Sequence, residues 1–306
     1  MRLRKPDWNL LRPRLGYAAF FLAAFVLALR LTFPAEAVKE RIIVEAGARG
    51  WVFDAASVGP AGLLGFSGEG VRFDDQAGLT VPIDRLAASL RILPLLAGKR
   101  RLDLDVRIFD GRVRGFADVG EGERTYRFTI EGVELARALP LRTATRLELV
   151  GRVDGTVDVI VPEGPEAKPT GKIDLDVADA GVNGGQLQLP GMTSGFAVPK
   201  IALGAVESVV TLADGKGSFE ALTAKGGDAE LAGKNLAFTI HPRFAHSPLF
   251  GRAELRIRDA FWAKGGAAGL KGLVEAALAS SRSADGAYGF QVYGTLAKPQ
   301  LRPAKG

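Results

Sequence analysis

His241 and His246 are the only imidazoles in the 306 residues, and the chain has no cysteine. Any metal or acid-base centre would have to start from that pair. A tetrahedral site needs more ligands nearby, and two from one element want i+4 on a helix or i+2 on a strand. This pair is five apart and bracketed by Pro242 and Pro248, so it reads as two loop side chains. A Ser-His-Asp set stays open, because its members need not be neighbours. No G-x-S-x-G elbow accompanies it. "GGAAGLKG", Gly265 to Gly272, lacks the Lys-Ser/Thr pair of a phosphate loop and a strand before it, so it reads as a helix start. "GPAGLLGFSGEG" spaces Gly59, Gly62, Gly65 and Gly68 by three, as a short loop between strands does. The carboxylates of Asp74 and Asp75 are adjacent and would point to opposite faces of a strand. No catalytic, cofactor-binding or metal-binding residue is expected, no cofactor is implied, and the chain is expected not to be an enzyme.

What remains is scaffold. The 39 glycines exceed the usual ~7 %, and they fall between short apolar runs, as the turns of an all-β protein do. "LDLDVRIF" sets Leu102, Leu104, Val106 and Ile108 against Asp103, Asp105 and Arg107. "KIDLDV" sets Ile173, Leu175 and Val177 against Asp174 and Asp176, and "AELRIR" repeats the pattern at Leu255 and Ile257. About a dozen such strands are expected, with turns at Asp110-Gly111, Asp214-Gly215 and Gly226-Gly227-Asp228. One polar face per strand predicts antiparallel sheet packed on a single side. The fold class expected is mainly β, a large antiparallel sheet with a few short helices.

Those helices are predicted at Phe33–Ala48, at Val133–Leu139 stopped by Pro140, and at Ala267–Ser281, where Leu270, Leu273, Val274, Ala277 and Leu278 form one stripe. "PEGPEAKP", Pro162 to Pro169, is the expected linker between a β half at 34–161 and another at 170–306. In the last strand Tyr288, Phe290, Val292 and Leu296 share a face, and Lys298-Pro299 with Pro303 are expected to end the ladder.

The N-terminus differs from all of this. Residues 1–14 are a basic tail holding net +4 of the overall +6. A transmembrane anchor is expected at 15–33, whose nineteen positions span roughly 29 Å as helix. Arg2, Arg4, Lys5, Arg12 and Arg14 place the tail in the cytoplasm by the positive-inside rule. An A-x-A pattern at Ala35–Ala37 leaves cleavage as the alternative. The rest of the chain mixes both charges and has no concentrated basic face, so no nucleic acid is expected as a partner.

"PTGKIDLDVADAGV", "AKGGDAELAGKNLAFTI", "FAHSPLFGRAELRI" and "DGAYGFQVYGTLAKPQLRP" resemble protein N of bacterial type II secretion systems (GspN). That family is itself similar to the AsmA-like periplasmic proteins, which "RILPLLAGKRRLDLDVRIFDGRVRG" also resembles. The resemblance covers the anchor with its "LTFP" and the stretch from Pro169 to Pro303. It implies a single-pass bacterial inner-membrane protein with a periplasmic, curved β-sheet. Its role would be non-enzymatic assembly with other type II secretion components of the inner membrane and periplasm. The alternative it implies is an AsmA-like protein that binds or transfers membrane lipid in an apolar groove.

Overall fold

The alternating segments become sheet almost without interruption. The computed structural model describes Tyr17, Phe20, Phe21, Ala24, Phe25, Leu27, Ala28 and residues 30–304, apart from 49, 76–79, 97, 120–121, 165–166, 188–195, 242–243 and 265–266. The expected tail at 1–14 lies outside the described residues, as do eight of the nineteen positions of the expected anchor at 15–33. No helix among the described residues is long and apolar enough to cross a membrane. The described members of that segment from Tyr17 to Leu31 are helical, and Phe20, Phe21, Phe25, Leu27 and Leu31 stand exposed.

The strands are β1 (Trp51–Asp54), β2 (Ser57–Pro60), β3 (Gly65–Asp75), β4 (Thr80–Leu90), β5 (Arg100–Ile108), β6 (Gly111–Val119), β7 (Glu123–Glu134) and β8 (Leu147–Pro162). They continue as β9 (Thr170–Leu187), β10 (Phe196–Ala197), β11 (Ile201–Ala213), β12 (Lys216–Lys225), β13 (Ala229–Thr239), β14 (Leu249–Ile257), β15 (Tyr288–Thr295) and β16 (Lys298–Pro303). All but β10 make one antiparallel sheet that does not close, and β10 pairs with the far end of β9. Each strand lies beside its neighbour in sequence, except that β1 and β2 share one edge of β3 and β11 follows β9. The sheet runs unbroken across the segment expected as a linker, because β8 and β9 pair directly.

The helices are α1 (Ala35–Gly47), α2 (Ile92–Leu96), α3 (Leu139–Thr145), α4 (Asp259–Trp262) and α5 (Lys271–Leu278). The helix expected at Val133–Leu139 is displaced. Val133 and Glu134 still belong to β7, a 3₁₀ turn takes Leu135–Arg137, and α3 runs through Pro140. Pro140 sits in the first turn, where its missing N–H costs nothing, so it starts the helix instead of stopping it.

Two further expectations shift. The β5–β6 turn is Phe109-Asp110, with φ of 51° and 61°, one residue earlier than Asp110-Gly111. Gly111 is already in the ladder, and a Cβ there would lie 2.6 Å from the main chain of Val133. At the C-terminus, Lys298-Pro299 and Pro303 do not end the ladder; they build β16, which pairs with β15. Ala304 N–H donates to the Gly289 carbonyl at 3.0 Å, so even-numbered positions bond to β15. Pro299 and Pro303 therefore turn their nitrogens to the free edge, where no donor is needed.

Parity is kept from strand to strand. Leu102, Ala117, Tyr126, Val159, Gly171, Leu212, Gly217, Phe238 and Leu249 follow one another across the ladders in one row. The best-packed part of the core lies on that row, where Val210, Leu212, Leu236, Phe238, Leu249, Ala253 and Val292 are buried. Phe238 is 2 % exposed and lies across Gly217, where a Cβ would fall 2.1 Å from the ring. In urea unfolding, Phe238→Ala is expected to cost about 3–5 kcal/mol and Gly217→Ala about 1–3 kcal/mol. A Gly217→Ala protein as stable as its parent would mean that the ring does not rest on the strand.

Candidate functional site

The residues of the apolar face are buried at both ends of the meander and half-buried in the middle. At the N-terminal end, α1 lays Ile42 and Ala46 against Phe53, Ala55 and Val71. At the C-terminal end, Phe261, Trp262 and Ala267 pack with Ile201, Ile257, Leu270 and Val274. None of the described residues of β5–β8 is buried, although Leu104, Val106, Phe128, Ile130 and Val157 all point to the apolar side. Gly115 belongs to that stretch, and a Cβ on it would meet the Phe128 ring at 2.6 Å. The result is an apolar strip across β5–β8 whose described side chains are only half-buried.

A cavity of about 590 Å³ lies farther along the sheet, between β13–β16 and the helices α4 and α5. Leu231, Leu255, Ile257, Trp262, Val274 and Phe290 are among its walls, and its size falls within the ~300–1,000 Å³ of small-molecule sites. A second apolar cavity, about 550 Å³, lies between α1 and the sheet at Trp51, Phe73 and Val81. Arg41 and Glu45 are the polar residues lining the smaller cavity, and Tyr293 and Gln300 those lining the larger.

A buried carboxylate helps to fasten the roof over the larger cavity. The Asp228 side chain is 4 % exposed and receives Lys264 Nζ at 2.6 Å and the Ala202 N–H at 2.8 Å. The Asp228 carbonyl accepts the Arg258 N–H at 2.8 Å, just before α4. Burial pushes this carboxyl up, but the Lys264 hydrogen bond, the Ala202 amide and the Lys264 charge outweigh it and hold it below the usual range. In sequence, Asp228 is only the third residue of a turn; its role depends on Lys264, thirty-six positions away.

The stripe expected on Ala267–Ser281 is corrected. Leu273 is 42 % exposed, and the docked side chains are Leu270, Val274 and Leu278. In place of a single helix, 3₁₀ turns at Ala268–Leu270 and Ala279–Ser281 flank an eight-residue α5. Three residues per turn advance the face differently from 3.6.

The other face of the sheet is ionic. Arg112 Nε donates to Asp105 at 2.7 Å, Arg127 pairs with Asp158 at 2.7 Å, and Lys234 pairs with Glu254 at 2.5 Å. Arg101 lies 3.5 Å from the centre of the Phe116 ring. These are cross-strand contacts, and Arg101, Asp103, Asp105, Arg114 and Phe116 line an open hollow of about 450 Å³ on this face. His241 and His246 sit exposed between β13 and β14 with ring centroids 6.2 Å apart. No group of three or more metal-ligating side chains forms among the described residues. Asp74 and Asp75 are the last two residues of β3, and the glycines from Gly59 to Gly68 belong to β2, β3 and the loop between them. Compared with protein-family models, curated proteins and solved structures, the chain matches none.

Two outcomes are expected from this geometry. Leu278→Ala should cost about 2–4 kcal/mol, whereas Leu273→Ala should stay within about 0.5 kcal/mol; equal losses would mean that α5 docks by another face. Asp228→Asn should lower stability by about 1–3 kcal/mol at neutral pH. Because the folded carboxyl titrates below its unfolded value of about 3.9, the contribution is present above that pH and is lost as pH falls through and below it. Urea midpoints of the parent and Asp228→Asn should therefore converge on acidification. A gap that does not narrow as the pH falls below the unfolded value would assign the loss to packing instead of charge.

Proposed function

We propose that this is a non-enzymatic protein of the bacterial inner membrane, anchored by residues 15–33, with its sheet in the periplasm. The sheet holds the acyl chain of a membrane lipid along its apolar face. The observation that carries this reading is the half-buried apolar strip across β5–β8, together with the apolar cavity beneath α4 and α5. Soluble proteins rarely leave so large an apolar surface without an occupant, and an acyl chain needs only length and dryness, with no directional partners. Polar walls would have argued otherwise. A curl of the sheet into a groove is supported by α3, which touches both β8 and β4, four strands apart.

The retained anchor is supported by the exposed aromatic residues at Phe20, Phe21 and Phe25. It is supported too by α1, because the candidate cleavage residues Ala35–Ala37 form the first turn of this packed helix. The basic tail gives the orientation, N-terminus inside.

A second reading, that of a type II secretion component resembling protein N, places a partner's hydrophobic segment in the same strip. The prolines on the outer edge of β16 favour this route over strand addition, since they remove donors that an added strand would use.

Purification in mild detergent followed by mass spectrometry separates the two. The parent is expected to carry phospholipid. Ile130→Arg together with Val157→Arg, on the strip, should lower it several-fold, and Thr129→Arg, on the ionic face, should leave it unchanged. A parent free of lipid that carries secretion proteins would replace the first reading with the second.

A further inference from the structure

The ends of the sheet are not equivalent. The loop Ala61–Leu64 and the β4–β5 connection containing α2 lie together at one end, joined by a hydrogen bond from the Leu90 N–H to the Leu64 carbonyl at 2.8 Å. Leu63, Leu64, Leu90, Ile92, Leu93 and Leu95 are all exposed there, Leu93 by 81 %. A five-residue helix with an 81 % exposed leucine cannot be explained by packing. Lys99 and Arg100 follow it, both exposed and with no ion pair among the described residues.

The chain also enters the fold from this end. Lys39 bonds Asp54 and the Ala55 carbonyl at 3.3 and 2.9 Å, while Ala46 packs by Trp51. The helix α1 therefore runs antiparallel to β1, and its N-terminus points toward the 61–64 loop. The opposite end has an exposed pair as well, Leu139 and Leu141 on α3. Of the arginines around that pair, Arg137 is neutralised by Asp110 at 3.0 Å and Arg142 by Glu148 at 2.9 Å, while Arg146 at the end of α3 has no ion pair among the described residues.

We propose that this tip, Leu63-Leu64 with α2, inserts into the surface of the same bilayer that holds the anchor, with Lys99 and Arg100 on anionic headgroups. Leucines beside unpaired cations are what an interfacial segment requires, apolar contact with the acyl boundary and charge at the headgroups. The contact would fix the sheet upright and bring the half-buried strip to the leaflet. The proposal rests on the anchored reading above, and its test keeps the two apart.

The absence of cysteine allows clean single-site labelling of the full chain. A polarity-sensitive dye is placed on Leu93→Cys, Leu64→Cys, Phe20→Cys or Leu139→Cys. Each protein is reconstituted into phosphatidylglycerol-phosphatidylcholine vesicles with and without headgroup-proximal nitroxide lipid. The labels at 93 and 64 are expected to lose about half their emission to the shallow quencher, and the label at 139 to lose almost none. Quenching at 20 without quenching at 93 and 64 overturns the tip contact and leaves the anchor standing. Quenching at 93 and 64 without any at 20 leaves the tip contact and removes the anchor. Equal quenching at 93 and 139 would mean that the sheet lies flat, and it would overturn the proposal.

Discussion

A β-strand sends alternate side chains to opposite faces, and a slip of one residue between neighbours would exchange the faces. Everything in this protein depends on that slip not happening. The row that begins at Leu102 stays apolar to Leu249 across the intervening strands. Irregularities between Val209 and Val210 and between Lys234 and Ala237 are absorbed without turning it over. The ionic pairs on the far side secure the same register. Arg127 can meet Asp158 only if Phe128 faces Val157. Each pair is worth little as an exposed ion pair, but a slipped strand would lose all of its pairs together and place charge on the apolar side.

The same constraint explains how the molecule ends. An open sheet has two edges, and each is blunted in its own way. At one edge β1 and β2 are four residues each and α1 lies against them. At the other, β16 presents prolines. The apolar face is also finished at its extremities by helices, so what stays half-buried is the interior of the strip and not its ends. Asp228 belongs to this finishing work, since its bonds to Lys264 and Ala202 tie the roof at α4 to the sheet beside the Arg258–Glu230 ion pair.

Much of this was legible from residue type. Alternation at Leu102–Ile108, Ile173–Val177 and Leu255–Ile257 predicted both the strands and the side each residue would face. Where the reading failed, the missing information was tertiary. Gly111 looks like a turn glycine, and only the proximity of Val133 makes it a ladder position. Pro140 looks like a stop because proline ends helices more often than its place in the first turn can be foreseen. Pro299 and Pro303 look incompatible with sheet until an edge strand is there to receive them. The strip itself was implied by the alternation, but its partial burial was not. Buried and half-buried apolar faces have the same period, and what distinguishes them is the position of α4 and α5, which no local pattern encodes. The clamp at Asp228 was invisible for a similar reason, its two partners being remote in sequence.

The neighbour-to-neighbour order of the strands has a consequence for variation in this architecture. Nearly every ladder joins segments adjacent in the chain, so a hairpin touches little beyond the hairpins on either side, much as one repeat of a solenoid does. Inserting or deleting a hairpin between β5 and β9 would change the reach of the apolar face by two strand spacings, about 9–10 Å, and leave both roofed ends intact. Reach and termini are then separate variables, and a lineage could lengthen the one without redesigning the other.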